Sequence, residues 1–340
     1  MRKEVLAVGC ALMVFCGCGK NNAAQHYESG WAAMEKKDYT TAVNEFQQVI
    51  DQNSKLAESY RAEGIAYYSE KAYPEAIAAF SRSLNNMDDP DKEFKKDVQF
   101  YLAQARMDYG EVDKAIEVYS EILKAGEDEQ AFFLRGKAYI SMEDYKNAEK
   151  DFQRALEGCE DYNLYINIYQ IYVDHNKAVD GDAYLKMALE LEPQDGEDCY
   201  HRGRIYEYEK NYEAARDELK TAMEQGYEDA MLLLGRVYLE MEDPASARSM
   251  YQEYLQKSEQ GAKAYNGLAM CDIYDGAYDS ALENIAQGLK ENSKEDEQGL
   301  LYNEIVAYEY KRDFATAKEK MKIYLEQYPE DEAALRENEF

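Results

Sequence analysis

From residue 23 onward the chain runs through pairs of apolar patterns, both of helical period, separated by short polar turns such as "MED" and "EKN". The second member of each pair is the easier to follow. "KKDYTTAVNEFQQVI", "EKAYPEAIAAFSRSL", "MEDYKNAEKDFQRAL" and "EKNYEAARDELKTAM" share an aromatic residue, an alanine three positions on and a bulky apolar residue four after that. That spacing sets all three on one face of a helix. The alanines recur at Ala42, Ala76, Ala115, Ala148, Ala215, Ala247, Ala281 and Ala317, with Gly181 in the single gap. Successive spacings of 34, 39, 33, 33, 34, 32, 34 and 36 residues make nine units.

The first member of each pair carries a small residue twelve positions before the marker alanine: Gly30, Gly64, Ala103, Gly136, Gly203, Gly235 and Ala269. Three positions later tyrosine recurs at Tyr67, Tyr139, Tyr172, Tyr206, Tyr238 and Tyr308. Helices approach to 8–10 Å only where something small sits at the crossing, so the small residue marks a crossing and the tyrosine fills the space beside it. Much of the total of 32 tyrosines is therefore packing. Departures are local: Tyr169 and Ile305 replace the small residue, Gly181 replaces the alanine, and five extra residues near Asp91 to Lys95 separate the second unit from the third. The fifth unit, 162–195, is where a bend or looser packing is expected.

This period and pattern resemble the tetratricopeptide repeat over residues 23–329, "AFFLRGKAYISMEDYKNAEKDFQRAL" (131–156) being the nearest single match. The resemblance implies an all-α fold, a right-handed superhelical solenoid of about nine helix-turn-helix repeats, each burying its apolar face against its neighbours. Residues 330–340 read as a C-terminal cap or the start of a tenth unit. In that family the first helix of each unit lines a concave groove. Mapped here, one groove column is Tyr27, Arg61, Phe100, Phe133, Ile166, Tyr200, Leu232, Asn266 and Tyr302. One turn later stand Trp31, Ile65, Gln104, Lys137, Gln170, Arg204, Arg236, Met270 and Val306, which sets three cations in an acidic molecule. Two accounts fit these residues. They form a ladder of apolar pockets for an extended or helical peptide, whose acidic groups or terminal carboxylate the cations meet. Alternatively they close the groove by packing, with Lys137, Arg204 and Arg236 paired to local carboxylates. The Lys/Asn carboxylate clamp of chaperone-binding members is absent, since Tyr27 and Trp31, or Arg61 and Ile65, stand where it would be.

The opening stretch is of another kind. Arg2 and Lys3 precede a 13-residue apolar run, "VLAVGCALMVFCG" (5–17), which has the plan of a secretory signal and is shorter than the roughly 20 residues a membrane span needs. Gly17-Cys18-Gly19-Lys20 then resembles the lipobox of bacterial lipoproteins, although Phe15 and Cys16 depart from its usual residues. The resemblance implies a signal peptide over 1–17, removed with Cys10 and Cys16; lipidation of Cys18; a linker over 18–22; and attachment to the outer side of a bacterial membrane. Cys10 is the competing lipid site.

Net charge is −30, from 39 basic and 69 acidic residues scattered along the whole chain. No basic stripe is present to neutralise phosphates, which argues against nucleic acid. Solubility and helix-surface charge explain the acidity plainly, and a basic partner explains it more sharply. His26, His175 and His201 are widely separated, and Cys159, Cys199 and Cys271 show no CxxC spacing, so neither a metal centre nor a disulfide framework is expected. No nucleophile elbow, P-loop or dinucleotide fingerprint occurs, and no cofactor is implied. The expectation is a lipid-anchored, extracytoplasmic scaffold, not an enzyme, that binds a protein or peptide in its groove and assists assembly of an envelope complex. The alternative is a glycan or small-ligand capture lipoprotein stacking its ligand on the groove aromatics, weakened by the single tryptophan, Trp31.

Overall fold

A computed structural model describes residues 22–87, 91–258, 261–291 and 293–337. The signal and lipid-site expectations, including Cys10, Cys16 and Cys18, lie outside the described residues. Among these the chain is helical, without strands. Nine antiparallel pairs follow one another: α1 (Asn22–Glu35) with α2 (Tyr39–Asp51), α3 (Leu56–Ser69) with α4 (Tyr73–Asn85), α5 (Lys92–Tyr109) with α6 (Val112–Ala125), α7 (Glu129–Ser141) with α8 (Tyr145–Ala155), and α9 (Tyr162–Asp174) with α10 (Ala178–Leu189). They continue as α11 (Gly196–Tyr208) with α12 (Tyr212–Glu224), α13 (Ala230–Glu240) with α14 (Pro244–Lys257), α15 (Ala262–Tyr274) with α16 (Tyr278–Lys290), and α17 (Glu297–Tyr310) with α18 (Phe314–Gln327). A short α19 (Glu332–Glu337) follows the ninth pair. The five extra residues before the third unit lengthen α5 to 18 residues rather than forming a loop.

Every second helix begins three residues before its marker alanine, for a local reason. The residue five before the marker is left-handed in all nine turns, whether it is glycine (Gly110, Gly276) or not (Lys37, Lys71, Glu143, Asn176, Lys210, Glu242, Arg312). A left-handed residue ends the first helix by letting the next amide reach back five residues, as Asp38 does to Ala33 at 3.0 Å and Asp144 to Tyr139 at 2.9 Å. In five of the turns the side chain of that next residue caps the second helix. The carboxylates of Asp38, Asp144, Asp243 and Asp313 and the Asn211 carboxamide each accept from the amide three positions on.

The crossings show why small residues recur. A Cβ placed on Gly30, Gly64 or Gly136 would lie 2.5, 2.6 or 2.7 Å from the ring of Phe46, Phe80 or Phe152, and one on Gly203 or Gly235 would lie 2.6 Å from Leu219 or Tyr251. Each partner is the bulky residue four after the marker alanine. Phe46, Phe80, Phe152 and Leu219 are fully buried, and Tyr251 nearly so.

Contacts divide the chain into two compact units, Met1–Tyr184 and Leu185–Phe340, the division falling inside α10. This is the fifth pair, whose crossing departs from the pattern. Tyr169 is large where most other units are small, but Gly181 faces it from α10, where a Cβ would stand 3.1 Å from the Tyr169 ring and 3.0 Å from Tyr172. Large and small have exchanged helices, and the approach stays close.

One buried position lacks its partner. Arg135 pairs with Asp151 at 2.7 Å, Arg202 with Glu218 at 2.8 Å and Lys320 with Glu304 at 2.8 Å, each joining the residue just before the small crossing position, or its equivalent, to the one sixteen further on. Glu63 stands at that position in α3, and the residue sixteen further on is Ala79, which offers no charge. It is 2% exposed, and its Oε2 atom finds no hydrogen bond among the described residues. Burial pushes its carboxyl up to about 6 from an ordinary 4.5, with Arg82 pulling it down and Asp51 pushing it further up. A raised carboxyl binds its proton more tightly folded than unfolded, so its contribution is fully favourable below about 4.5 and is lost as pH rises through about 6. At neutral pH the charged form costs on the order of 2 kcal/mol. Glu63→Leu, which copies Leu102, Leu234 and Leu268 of other units, is expected to raise urea stability at pH 7 by about that amount and by much less at pH 4.5. Equal gains at both pH values would remove the titration from the explanation.

Candidate partner-binding cleft

Successive first helices touch one another: α1 with α3, α3 with α5 and α7 with α9 in the first unit, and α11 with α13, α13 with α15 and α15 with α17 in the second. Side chains on that face bridge neighbouring pairs. Arg61 of α3 bonds Asp97 of α5 and lies over the Tyr101 ring at 5.3 Å. Asn303 of α17 donates to Asn266 of α15 at 2.7 Å, and the Tyr302 hydroxyl donates to Glu337 of α19 at 2.6 Å.

In the second unit this face opens into a cleft of about 980 Å³ over α11, α13, α15 and α17. Tyr200, Leu232, Arg236, Asn266 and Met270, all in the two groove columns, line it together with Asp229, Glu240, Tyr251, Tyr254, Lys263, Gly267, Glu291 and others. Its floor is set by a second close crossing. The Tyr251 ring of α14 lies between Gly235 of α13 and Gly267 of α15, and a Cβ on Gly267 would overlap it. Column mapping named Asn266 but passed over Gly267. The available signal was Tyr251 itself, a tyrosine where most units hold phenylalanine or leucine, followed one unit later by an additional glycine.

The remaining groove residues are distributed as follows. In the first unit Tyr27 and Trp31 are half-buried, their rings edge-on to Phe46 at 5.8 and 5.5 Å. Phe100 and Phe133 are half-buried against Tyr119 and Phe152 at 6.3 and 6.1 Å. Ile166 is 3% exposed and presents almost nothing outward. Tyr302 is half-buried at the end of the second unit, where its hydrogen bond to Glu337, together with burial, holds the phenol above its ordinary value.

The three cations have separate environments. Arg236 is gripped by Glu207 through Nε at 2.5 Å and Nη2 at 2.6 Å, a two-point pairing between α13 and α11. Arg204 lies over the Tyr200 ring at 5.9 Å with Nη1 3.3 Å from His201 Nδ1. Lys137 is exposed in the first unit with no ion pair among the described residues. Burial holds the Tyr200 phenol above its ordinary value, Arg204 opposing the shift, so it remains a neutral donor. Burial likewise pushes the Cys271 thiol up to about 11; Cys159, Cys199 and Cys271 are all unpaired thiols. Among the described residues no group of three or more His, Cys, Asp or Glu is placed to hold a metal ion, and no helix is long and apolar enough to cross a membrane.

Comparison with known proteins follows the same period. A tetratricopeptide repeat model matches residues 27–91, 200–262 and 232–297, and a second tetratricopeptide repeat model matches 129–161. No curated protein matches. Similar solved structures include YrrB, described as a TPR protein with an unusual peptide-binding site, at 26% identity over 56% of this chain and 98% of that one, TM-score 0.36. Others are a tetratricopeptide repeat protein from Parabacteroides merdae, at 16% identity over 84% and 99%, TM-score 0.46, and yeast Tom70, at 15% identity over 90% and 78%, TM-score 0.49. With nine helix pairs joined by one recurrent turn, and family matches in both units, the chain belongs to the tetratricopeptide repeat family.

Proposed function

We propose that this protein is a membrane-anchored, extracytoplasmic scaffold that holds a protein or peptide partner on the face of its first helices and assists assembly of a complex at a bacterial envelope. A tetratricopeptide array suits protein–protein interaction, and the role is one of binding without catalysis. The observation that carries the groove is the cleft of about 980 Å³, open to solvent and walled by Tyr200, Leu232 and Met270. A cleft of that size takes several side chains of an extended segment. The anchor rests on Gly17-Cys18-Gly19 and the apolar run before it. Two acyl chains would hold the chain stably where one is marginal. No observation favours the glycan alternative: Trp31 is packed on Phe46 in the first unit, and the cleft is in the second.

The test is in-cell photo-crosslinking from Tyr200 and Leu232, with Lys150 on α8 as the control. One discrete protein captured from the cleft positions and not from Lys150 is the expected result, with lipid labelling of the same chain abolished by Cys18→Ser. Equal capture from Lys150 would remove the groove, and labelling that persists in Cys18→Ser would remove the anchor.

A further inference from the structure

One of the two accounts of the groove columns has their cations meet an acidic partner. The geometry of the cleft reverses that sign. Five carboxylates, Asp229, Glu240, Glu291, Glu295 and Asp296, line it against two cations, Arg236 and Lys263, among the described residues. Both cations are already engaged. Arg236 is forked onto Glu207, and Lys263 lies 3.6 Å from Glu295 and 4.0 Å from Asp296. An incoming carboxylate would have to displace Glu207 from a two-point pairing. Asp229, Glu240 and Glu291 are exposed and meet no cation within 4.0 Å among the described residues. Asp229 accepts from the Tyr254 hydroxyl at 3.5 Å and Glu240 from the Tyr212 hydroxyl at 3.2 Å. Between them stand apolar walls: Leu232 is half-buried and Met270 is 36% exposed.

Resting on the groove reading above, we infer that the cleft between α11 and α17 takes a cationic segment, an extended peptide in which lysine or arginine alternates with apolar residues. Its apolar side chains lie on Leu232, Met270 and the Tyr200 ring, and its ammonium or guanidinium groups reach Asp229, Glu240 and Glu291. Charge separates this partner from the acidic tail peptides that other groove geometries select. The surrounding field of a chain at −30 adds to its capture at low salt.

The experiment measures fluorescence anisotropy of the full chain with labelled peptides of three Lys-Ala-Leu-Ser repeats, or of three Glu-Ala-Leu-Ser repeats. The lysine peptide is expected to bind saturably and the glutamate peptide not at all. Asp229→Asn, Glu240→Gln and Glu291→Gln together are expected to weaken binding about tenfold, since each removes one opposite charge at short range. Glu117→Gln, Glu149→Gln and Glu319→Gln, on the exposed faces of second helices, remove as much charge elsewhere and leave binding within about twofold. The proposal is overturned if the two triple variants weaken binding equally, which would mean diffuse attraction only, or if the glutamate peptide binds as well. Absence of lysine-peptide binding, with a discrete crosslink from Tyr200, would sink the cationic partner and leave the groove standing. Absence of both would sink the two together.

Discussion

Phe152→Ala is expected to lower the stability of the first unit by about 3–5 kcal/mol, and Gly136→Ala is expected to change sign in that background. Phe152 is fully buried among the rings of Phe133, Tyr172 and Tyr184, at 6.1, 6.1 and 5.9 Å, so its loss leaves a cavity that rigid neighbours fill poorly. In the intact protein a Cβ on Gly136 would stand 2.7 Å from the Phe152 ring, which is fully buried. The single Gly136→Ala substitution should therefore cost about 1–3 kcal/mol as overpacking, despite alanine's helix preference of about 1 kcal/mol over glycine. With Phe152 truncated the clash disappears. The helix preference then acts alone, and Gly136→Ala restores up to about 1 kcal/mol. Urea midpoints by circular dichroism for the four proteins of this cycle give the coupling directly. Additive losses would mean that glycine is tolerated at the crossing rather than required there.

The same pair explains how much of the fold was legible in the sequence. Gly136 and Phe152 recur as glycine or alanine and as a bulky apolar residue at a fixed separation, and the turn between their helices always places one left-handed residue and then a second-helix start. Periodicity repeated nine times exposes such a rule even though any one instance is weak. Residues that act across units were harder to see. Asp97 pairs with Arg61, Glu207 with Arg236 and Asp272 with Arg248 at separations set by how one pair stacks on the next, and acids are too common here for their positions to stand out. The groove columns located the cleft face because first-helix positions follow the repeat. For Arg236 the pairing with a local carboxylate holds, but its partner, Glu207, follows no repeat position that the columns sampled. Ile166 was a groove candidate by column alone, and its burial follows from the fifth pair, where Tyr165, Tyr169 and Tyr172 of α9 are also buried.

Asp272→Ala is expected to destabilise the second unit by about 3–5 kcal/mol, because it removes the centre of a buried polar network and leaves its donors facing each other. Asp272 is 3% exposed on α15. Its Oδ1 accepts from Arg248 of α14 at 2.7 Å, and its Oδ2 accepts from Ser280 and Asn284 of α16, also at 2.7 Å each. One carboxylate thus ties three helices, and Arg248 continues to Asp275 at 2.9 Å. Asp272→Asn keeps the shape and one acceptor but turns an amide donor toward other donors, so an intermediate loss is expected. The probe matters as much as the variant. Trp31, the single tryptophan, sits on α1 in the first unit, while circular dichroism reports helices throughout. If repeats are stabilised by nearest neighbours, the loss at Asp272 should shift the later-numbered helices and leave the Trp31 transition close to its wild-type midpoint. Coincident shifts of both signals would mean instead that the array unfolds as one cooperative body, and the Asp272 network would then contribute to the stability of every repeat.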